Sequence, residues 1–483
     1  MVERVADNDE VLGPIPSTRT PSTIRLWRSY RAGHEFLFTT DYVLRTTNYS
    51  HMNYKVTGGK KLSGSVTTNI SKNATVALLA ASLLNKGTTT IKRVPKIEEV
   101  NRLIEVLKSI GAEVEWVSGD VVVRPPKKLT PEKMDREAAG KTRSTVLFTA
   151  PLSHLFETFE LPLPGGCKLG GRTMMPHIQA LGALGIQILK GSEGMYKVST
   201  KETTAGEVAM YESSDTGTES VLMAAAKIPG KTIIKYASAN YMVQDLCTFL
   251  ELCGVKVEGI GTSTLVVHGV DEIDREVVVY PSEDPIESMF FISLAATTGS
   301  EITIKRCPFD FLELELVTLG QMGQKYEYGA KYTADNGRTV LADVTMFPSK
   351  LTAPPEKIAP RPYPGINIDN LPFFVPVATQ AEGRTLIHDW VYENRAIYYM
   401  EMKKLGANML LADPHRVFID GPTPLHAADI EAPPALRPAT IILIGMLAAE
   451  GESILRNVYP INRGYERLHE RLQELGASVE AVE

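Results

Sequence analysis

Several residues of this chain have the types and settings that chemistry on a small anionic molecule would need. The loop Leu163-Pro164-Gly165-Gly166-Cys167-Lys168-Leu169-Gly170-Gly171-Arg172 carries one cysteine beside Lys168 and near Arg172. Neighbouring cations favour thiolate over thiol, so Cys167 is a candidate nucleophile or acid. The glycines would let the backbone approach a ligand and let the loop move. A small buried thiol in a turn is the alternative. Lys72 lies between Ser71 and Asn73, just before the helical run 74–84. A lysine at a helix start is disfavoured by the dipole unless an anion sits there. Arg143, Arg172, Arg395, Arg437 and Arg463 are further cations near turns or helix starts. Arginine forks bind carboxylate and phosphate at two points. Singly, each reads more simply as a solvated surface charge; the set becomes informative only if the residues converge. Asp369, in Pro364-Gly365-Ile366-Asn367-Ile368-Asp369, suits a general base or, more simply, a helix N-cap.

Elements must bring such scattered residues together, and the chain advertises them by repetition. A helix-ending phrase built around glycine recurs at Gly111, Gly185, Gly254, Gly323, Gly406 and Gly476, at intervals of about 70 residues with one near 83. A second phrase, glycine and then a β-like run, precedes five of the six copies, starting at Gly87, Gly230, Gly299, Gly383 and Gly451. In the remaining copy, Phe156 to Leu163 fills the strand slot. Val100, Leu103, Ile104, Leu107 and Ile110 have helical spacing and predict one apolar face. Gly111 then suits a left-handed helix end. Residues 113–117 alternate like a half-buried strand. Each unit therefore reads as strand, helix, glycine stop, strand. Six units predict an α/β protein of two domains, three units each.

The 483 residues, with 57 acidic against 51 basic side chains and a formal charge of −6, disfavour a general nucleic-acid binder. The longest apolar run, about 439–449, is shorter than the roughly 20 residues that cross a bilayer. The acidic N-terminus does not read as a secretory signal. Cys167, Cys247, Cys253 and Cys307 lack zinc spacing and read as free thiols in a reducing cytoplasm. The first 50 or so residues lie outside the repeat. Their aromatic residues Trp27, Tyr30, Phe36, Phe38 and Tyr42 predict packing on the chain's own domains or on a partner subunit; a partly disordered extension is the alternative.

Gly87 to Pro95, the Pro164 to Arg172 loop, Glu393-Asn394-Arg395 and Arg463-Gly464-Tyr465-Glu466 occur in an order that resembles the UDP-N-acetylglucosamine enolpyruvyl transferases (1-carboxyvinyltransferases), relatives of 5-enolpyruvylshikimate-3-phosphate synthase. The resemblance runs from about Tyr54 to the C-terminus. It implies a two-domain inside-out α/β barrel of six βαβ-type units. One domain would comprise 53–70 plus 283–483 and the other, carrying Cys167, 71–282, after an N-terminal extension over 1–52. The implied enzyme, a transferase of alkyl or aryl groups other than methyl, moves the enolpyruvyl group of phosphoenolpyruvate to a hydroxyl of a uridine nucleotide. The first candidate acceptor is the 3-hydroxyl of UDP-N-acetylglucosamine. Addition through a tetrahedral intermediate and elimination release phosphate, with no metal or organic cofactor.

By matching position, the resemblance gives Lys72, Arg172, Arg437 and Arg463 to phosphoenolpyruvate. It gives proton transfer or product release to Cys167, removal of the acceptor proton to Asp369, and a catalytic share to Lys72. Asn73, Arg143, Thr216, Asp369 and Arg395 would contact the acceptor. The expected partners are these two small molecules, with no nucleic acid or membrane, and the arm is a candidate homo-oligomer contact. The chain departs from the family pattern at Ala435 and Asn462, where aspartates are usual. It also departs after Arg172, and at Ser214-Asp215-Thr216-Gly217-Thr218, where Asp215 sets a negative charge near the expected diphosphate. A simpler acceptor such as UMP, in nucleoside natural-product rather than peptidoglycan biosynthesis, is the second reading. A non-catalytic nucleotide-binding homologue is a third.

Overall fold

The computed structural model describes residues 52–125, 128–163, 165 and 173–483. The N-terminal arm, and with it the expected subunit contact, lies outside the described residues, as do Cys167 and Arg172. The glycine repeat is the skeleton of the rest. Gly111, Gly185, Gly254, Gly323, Gly406 and Gly476 all have positive φ, between 86° and 104°. Any other residue would be strained there, so the sequence marks each of these turns with glycine.

Among the described residues the strands form six small sheets: three of four strands, one of five and two of three. Strands such as Lys256–Glu258 and Asn408–Asp413 alternate exposed and buried positions, so each sheet turns one face inward. The copy lacking the second glycine still supplies a strand, Thr158–Pro162. The strand over 113–117 and the buried stripe of its preceding helix also match the sequence pattern.

The helices that matter for the cleft are α1 (Lys72–Ala81), α2 (Glu98–Ser109), α3 (Met175–Gly182), α4 (Asp215–Ala226), α5 (Tyr241–Leu252), α6 (Pro285–Thr298) and α7 (Leu436–Ala448). The predicted helix over 74–84 starts two residues earlier and tightens into a 3-10 turn at Ser82–Leu84. All of α6 is buried, as is nearly all of α4 and α7. A helix that is apolar all round has no solvent face and must be enclosed.

The buried side chains fall into two cores. One runs from Ala74 to Val279. The other joins Tyr54 to Val66 with Ile286 to Val479. Three sheets face each core. The chain crosses from one core to the other twice, and the two crossings touch where Ile70 bridges Glu283. The second core closes on itself because Asn53–Gly58 pairs antiparallel with both Gly451–Arg456 and Ser478–Val482.

Candidate active site

A cleft of about 620 Å³ lies between the two cores, and it gathers most of the candidates. Lys72, Asn73, Arg143, Thr216, Asp369, Arg395, Arg437 and Arg463 all line it. They come from loops and helix ends far apart in sequence, so their convergence comes from the fold. Cys167 and Arg172 cannot be placed in it, because they lie outside the described residues.

Lys72 opens α1, whose N-cap is Ser71. The Ser71 Oγ accepts the Ala74 N–H at 3.2 Å, and the Lys72 N–H donates to Asp284 Oδ2 at 3.2 Å. The anion demanded by a lysine at this helix start is present as a protein group. Glu99, in the first turn of α2, is buried and interacts electrostatically with Lys72. Its Oε2 accepts from Arg463 Nη2 at 2.8 Å, and its Oε1 accepts from the hydroxyls of Thr142 and of Ser144, the latter at 3.1 Å. Burial pushes this carboxyl up. Lys72, Arg463 and the Thr142 hydroxyl overcome that and hold it down at about 2. Sequence reasoning missed Glu99, since an acid in a first helical turn is an ordinary dipole partner.

Asp369 sits in a turn before the short 3-10 helix Leu371–Phe373, whose N-cap Asn370 makes no side-chain cap. Asn370, not Asp369, therefore holds the cap position; the Asp369 N–H donates to Asn367 Oδ1 at 2.8 Å, and Asp369 lines the cleft. That carboxylate is 25% exposed, 3.5 Å from Arg395 Nη1 and 3.7 Å from Arg437 Nη2. Two buried groups fix the loop. Glu315 Oε1 accepts from the Asn367 N–H at 3.0 Å and from Asn370 Nδ2 at 2.8 Å. Arg395 Nη2 donates to the Ile368 carbonyl at 2.7 Å.

Arg395 is only 1% exposed. Its Nε and Nη2 grip Asp389 Oδ2 and Oδ1 at 2.6 and 2.9 Å, and Tyr399 OH donates to the same carboxylate at 2.6 Å. So buried, its geometry fits holding Asp369 better than reaching out to an acceptor. Arg437, near the start of α7, donates through Nη1 to Tyr465 OH at 3.1 Å. Burial works against its charge, but Tyr465, Asp369 and Asp284 outweigh it and keep the guanidinium protonated. Ala435 is buried at the N-cap of α7, which therefore has no side-chain cap. Asn462 accepts from Tyr54 OH at 3.4 Å, outside the cleft lining.

The opposite wall mixes neutral groups with Arg143, Asp215 and Glu219. Asn73 Nδ2 donates to Tyr241 OH at 3.3 Å. Arg143 Nη2 donates to the Thr173 carbonyl at 3.0 Å. His177, in α3, sits between Ser220 Oγ and Thr216 Oγ1, each at 3.2 Å. Burial and then the Arg143 charge push His177 down to about 4, so it is neutral at physiological pH. Thr216 thus faces the cleft with its hydroxyl already shared. The arrangement as a whole can do two things: hold a multiply anionic molecule against Lys72, Arg437 and Arg463, and present the Asp369 carboxylate beside it.

Comparison with known proteins gives this arrangement relatives. Residues 56–472 match the family model described as EPSP synthase (3-phosphoshikimate 1-carboxyvinyltransferase). The chain is 32% identical over 436 residues to a UDP-N-acetylglucosamine 1-carboxyvinyltransferase of Treponema denticola, covering 89% of this chain and 99% of that one. It is 31% identical over 437 residues to a protein of the same name from Bradyrhizobium diazoefficiens, covering 89% and 98%. Among solved structures, the enolpyruvyl transferase NikO from Streptomyces tendae superposes with a TM-score of 0.78 at 23% identity, covering 89% of this chain and 99% of that one. An EPSP synthase from Acinetobacter baumannii gives 0.67 at 18%, covering 89% and 100%.

Proposed function

The chain belongs to the EPSP synthase (3-phosphoshikimate 1-carboxyvinyltransferase) family, and we propose that it transfers the enolpyruvyl group of phosphoenolpyruvate to a hydroxyl of a uridine nucleotide. UDP-N-acetylglucosamine is the first acceptor to test, since it is named in relatives that cover nearly their whole length with this chain. The observation that carries the reading is the meeting of Lys72, Arg437 and Arg463 with the Asp369 carboxylate in one cleft.

The chemistry assigns each a task. Phosphoenolpyruvate carries a phosphate and a carboxylate, and three fixed cations can neutralise and orient them. Asp369 takes the proton of the acceptor hydroxyl as its oxygen attacks C2 of the donor, while C3 gains a proton. The tetrahedral adduct then loses phosphate, and a proton leaves C3 to restore the double bond. Cys167 is the acid in this scheme or the group that frees product; Arg172 supplies a further cation. Asn73, Arg143 and Thr216 line the acceptor side. Arg395 serves Asp369 from behind.

The two cores support a division into a domain of 53–70 plus 283–483 and an inserted domain of 71–282. Enclosed helices with sheets outside support the inside-out barrel arrangement within each. Closure of the two over the cleft would exclude water from the adduct. Among the described residues no helix is long and apolar enough to cross a membrane. Cys247, Cys253 and Cys307 are free and buried, which supports a reducing, cytoplasmic setting.

The test is phosphate release from phosphoenolpyruvate with a panel including UDP-N-acetylglucosamine and UMP. No turnover with any nucleotide would refute the reading. A second acceptor reading, one with fewer phosphates, is favoured by one observation: the cleft wall carries Asp215.

A further inference from the structure

Helix α4 brings two acids to the cleft wall. Asp215 and Glu219 are one helical turn apart, so their carboxyls share one side of the helix. Asp215 Oδ1 accepts from Ser238 Oγ at 2.5 Å and Oδ2 from Asn240 Nδ2 at 3.3 Å. Both partners are neutral. Glu219 is 2% exposed and lines the cleft, yet its Oε1 has no hydrogen-bond partner. The charged groups acting on the pair are themselves acidic: Asp369 on Asp215, and Asp215 and Asp245 on Glu219.

An orphaned oxygen in a buried carboxyl forfeits its hydration with nothing in return. Burial, with Asp215 and Asp245, raises the Glu219 carboxyl well above the ordinary range and so favours its uncharged form, which an uncharged polar group can complete as donor or acceptor. A phosphate would meet buried acids here, which is itself a barrier. Asp215 adds to the barrier, because burial raises its carboxyl only to about 6, with Asp369 adding to the rise and the Ser238 and Asn240 hydrogen bonds opposing it. It is therefore mostly ionised at pH 8. The cations that line the cleft, Lys72, Arg143, Arg361, Arg395, Arg437 and Arg463, all lie outside α4.

We propose that Asp215 and Glu219 form a subsite for an uncharged, polar part of the acceptor, and that Asp215 is the specificity-determining residue that keeps phosphate out of it. This rests on reading the cleft as the acceptor site of an enolpyruvyl transferase.

Binding separates this inference from that reading. Isothermal titration of the full chain at pH 8 compares UDP-N-acetylglucosamine with uridine, which has no phosphate, in wild type, Asp215→Asn and Glu219→Gln. The ratio of the two dissociation constants, nucleotide sugar over uridine, should fall about tenfold in Asp215→Asn, equivalent to about 1.4 kcal/mol. In Glu219→Gln, which replaces a carboxyl that favours its uncharged form by a neutral amide, it should move by less than about threefold. Circular dichroism checks that each variant is folded, and Asp215→Ser decides if Asp215→Asn is not. A fall below about threefold in the folded Asp215 variant, or a rise, overturns the subsite. If the ratio falls but no acceptor releases phosphate from phosphoenolpyruvate, the subsite stands and the transferase reading fails.

Discussion

Glu99 and Arg463 meet across the cleft at 2.8 Å, one from each core, and together close the end where Lys72 lies. The pair gives the cation cluster a fixed counter-charge on the inserted half. Arg463 is thereby aimed before any donor arrives. Preorganisation of this kind lowers the ordering cost of binding.

Replacing Glu99 with Gln keeps the shape and the hydroxyl contacts but removes the charge. The Michaelis constant for phosphoenolpyruvate should rise on the order of tenfold, with a smaller fall in kcat, because truncating a buried charge pair costs about 2–5 kcal/mol and glutamine retains part of it. Glu99→Asp should recover part of the loss. Steady-state kinetics on both variants check this; an unchanged Michaelis constant in Glu99→Gln removes Glu99 from donor positioning.

Asp389→Asn should strike the turnover number instead. Asp389 touches neither substrate site directly; it fixes Arg395, which stands behind Asp369. A loosened Arg395 lets Asp369, the proposed base, drift, and misplacement by about 1 Å can cost about a hundredfold in rate. The expected result is kcat down ten- to a hundredfold with donor and acceptor Michaelis constants nearly unchanged.

Glu315 gives a pH signature. Burial raises its carboxyl to about 7, against the hydrogen bonds from Asn370 and Asn367 that favour its ionised form. The folded state therefore binds the proton more tightly than the unfolded chain. Stability should fall as pH rises from the ordinary glutamate range through about 7, and level off above it. Asp245, also raised to about 7 by burial, adds a similar slope. The measurement is thus the difference between wild type and Glu315→Gln in thermal unfolding from pH 5 to 8, and the variant should show the shallower dependence.

Cys167→Ala should reduce phosphate release at least a hundredfold or leave product trapped on the protein. Cys167→Asp, which retains an acid, should recover part of the rate. Unchanged steady-state turnover in Cys167→Ala would take the thiol out of the mechanism.

What the residues reveal before folding depends on whether their local need is unusual. The repeat glycines were legible because a left-handed helix end tolerates little else, and all six have positive φ. Lys72 was legible because a lysine at a helix start needs an anion. The identity of that anion was not, since Glu99 is about 27 residues away and looks like any first-turn acid. The grip of Asp389 on Arg395 is not legible, because burial leaves no mark on an arginine's letter. Asp369 fitted an N-cap equally well until Asn370 took the cap position without using its side chain. Glu219 sat unnoticed in an apolar helix, where only the missing partner at Oε1 distinguishes it.

The pairing of Asn53–Gly58 with Ser478–Val482 has a consequence for the order of assembly on the ribosome. Every buried residue of the inserted core has been made once the chain reaches Val279. The other core holds its strand Asn53–Gly58 in waiting until Val479 is made, long after the inserted core is complete. Loss of Ser478–Val482 would therefore leave one core with all its parts and the other with an open edge against Asn53–Gly58, so damage there should unravel the core of Tyr54 and Val479 before the core of Ala74 to Val279.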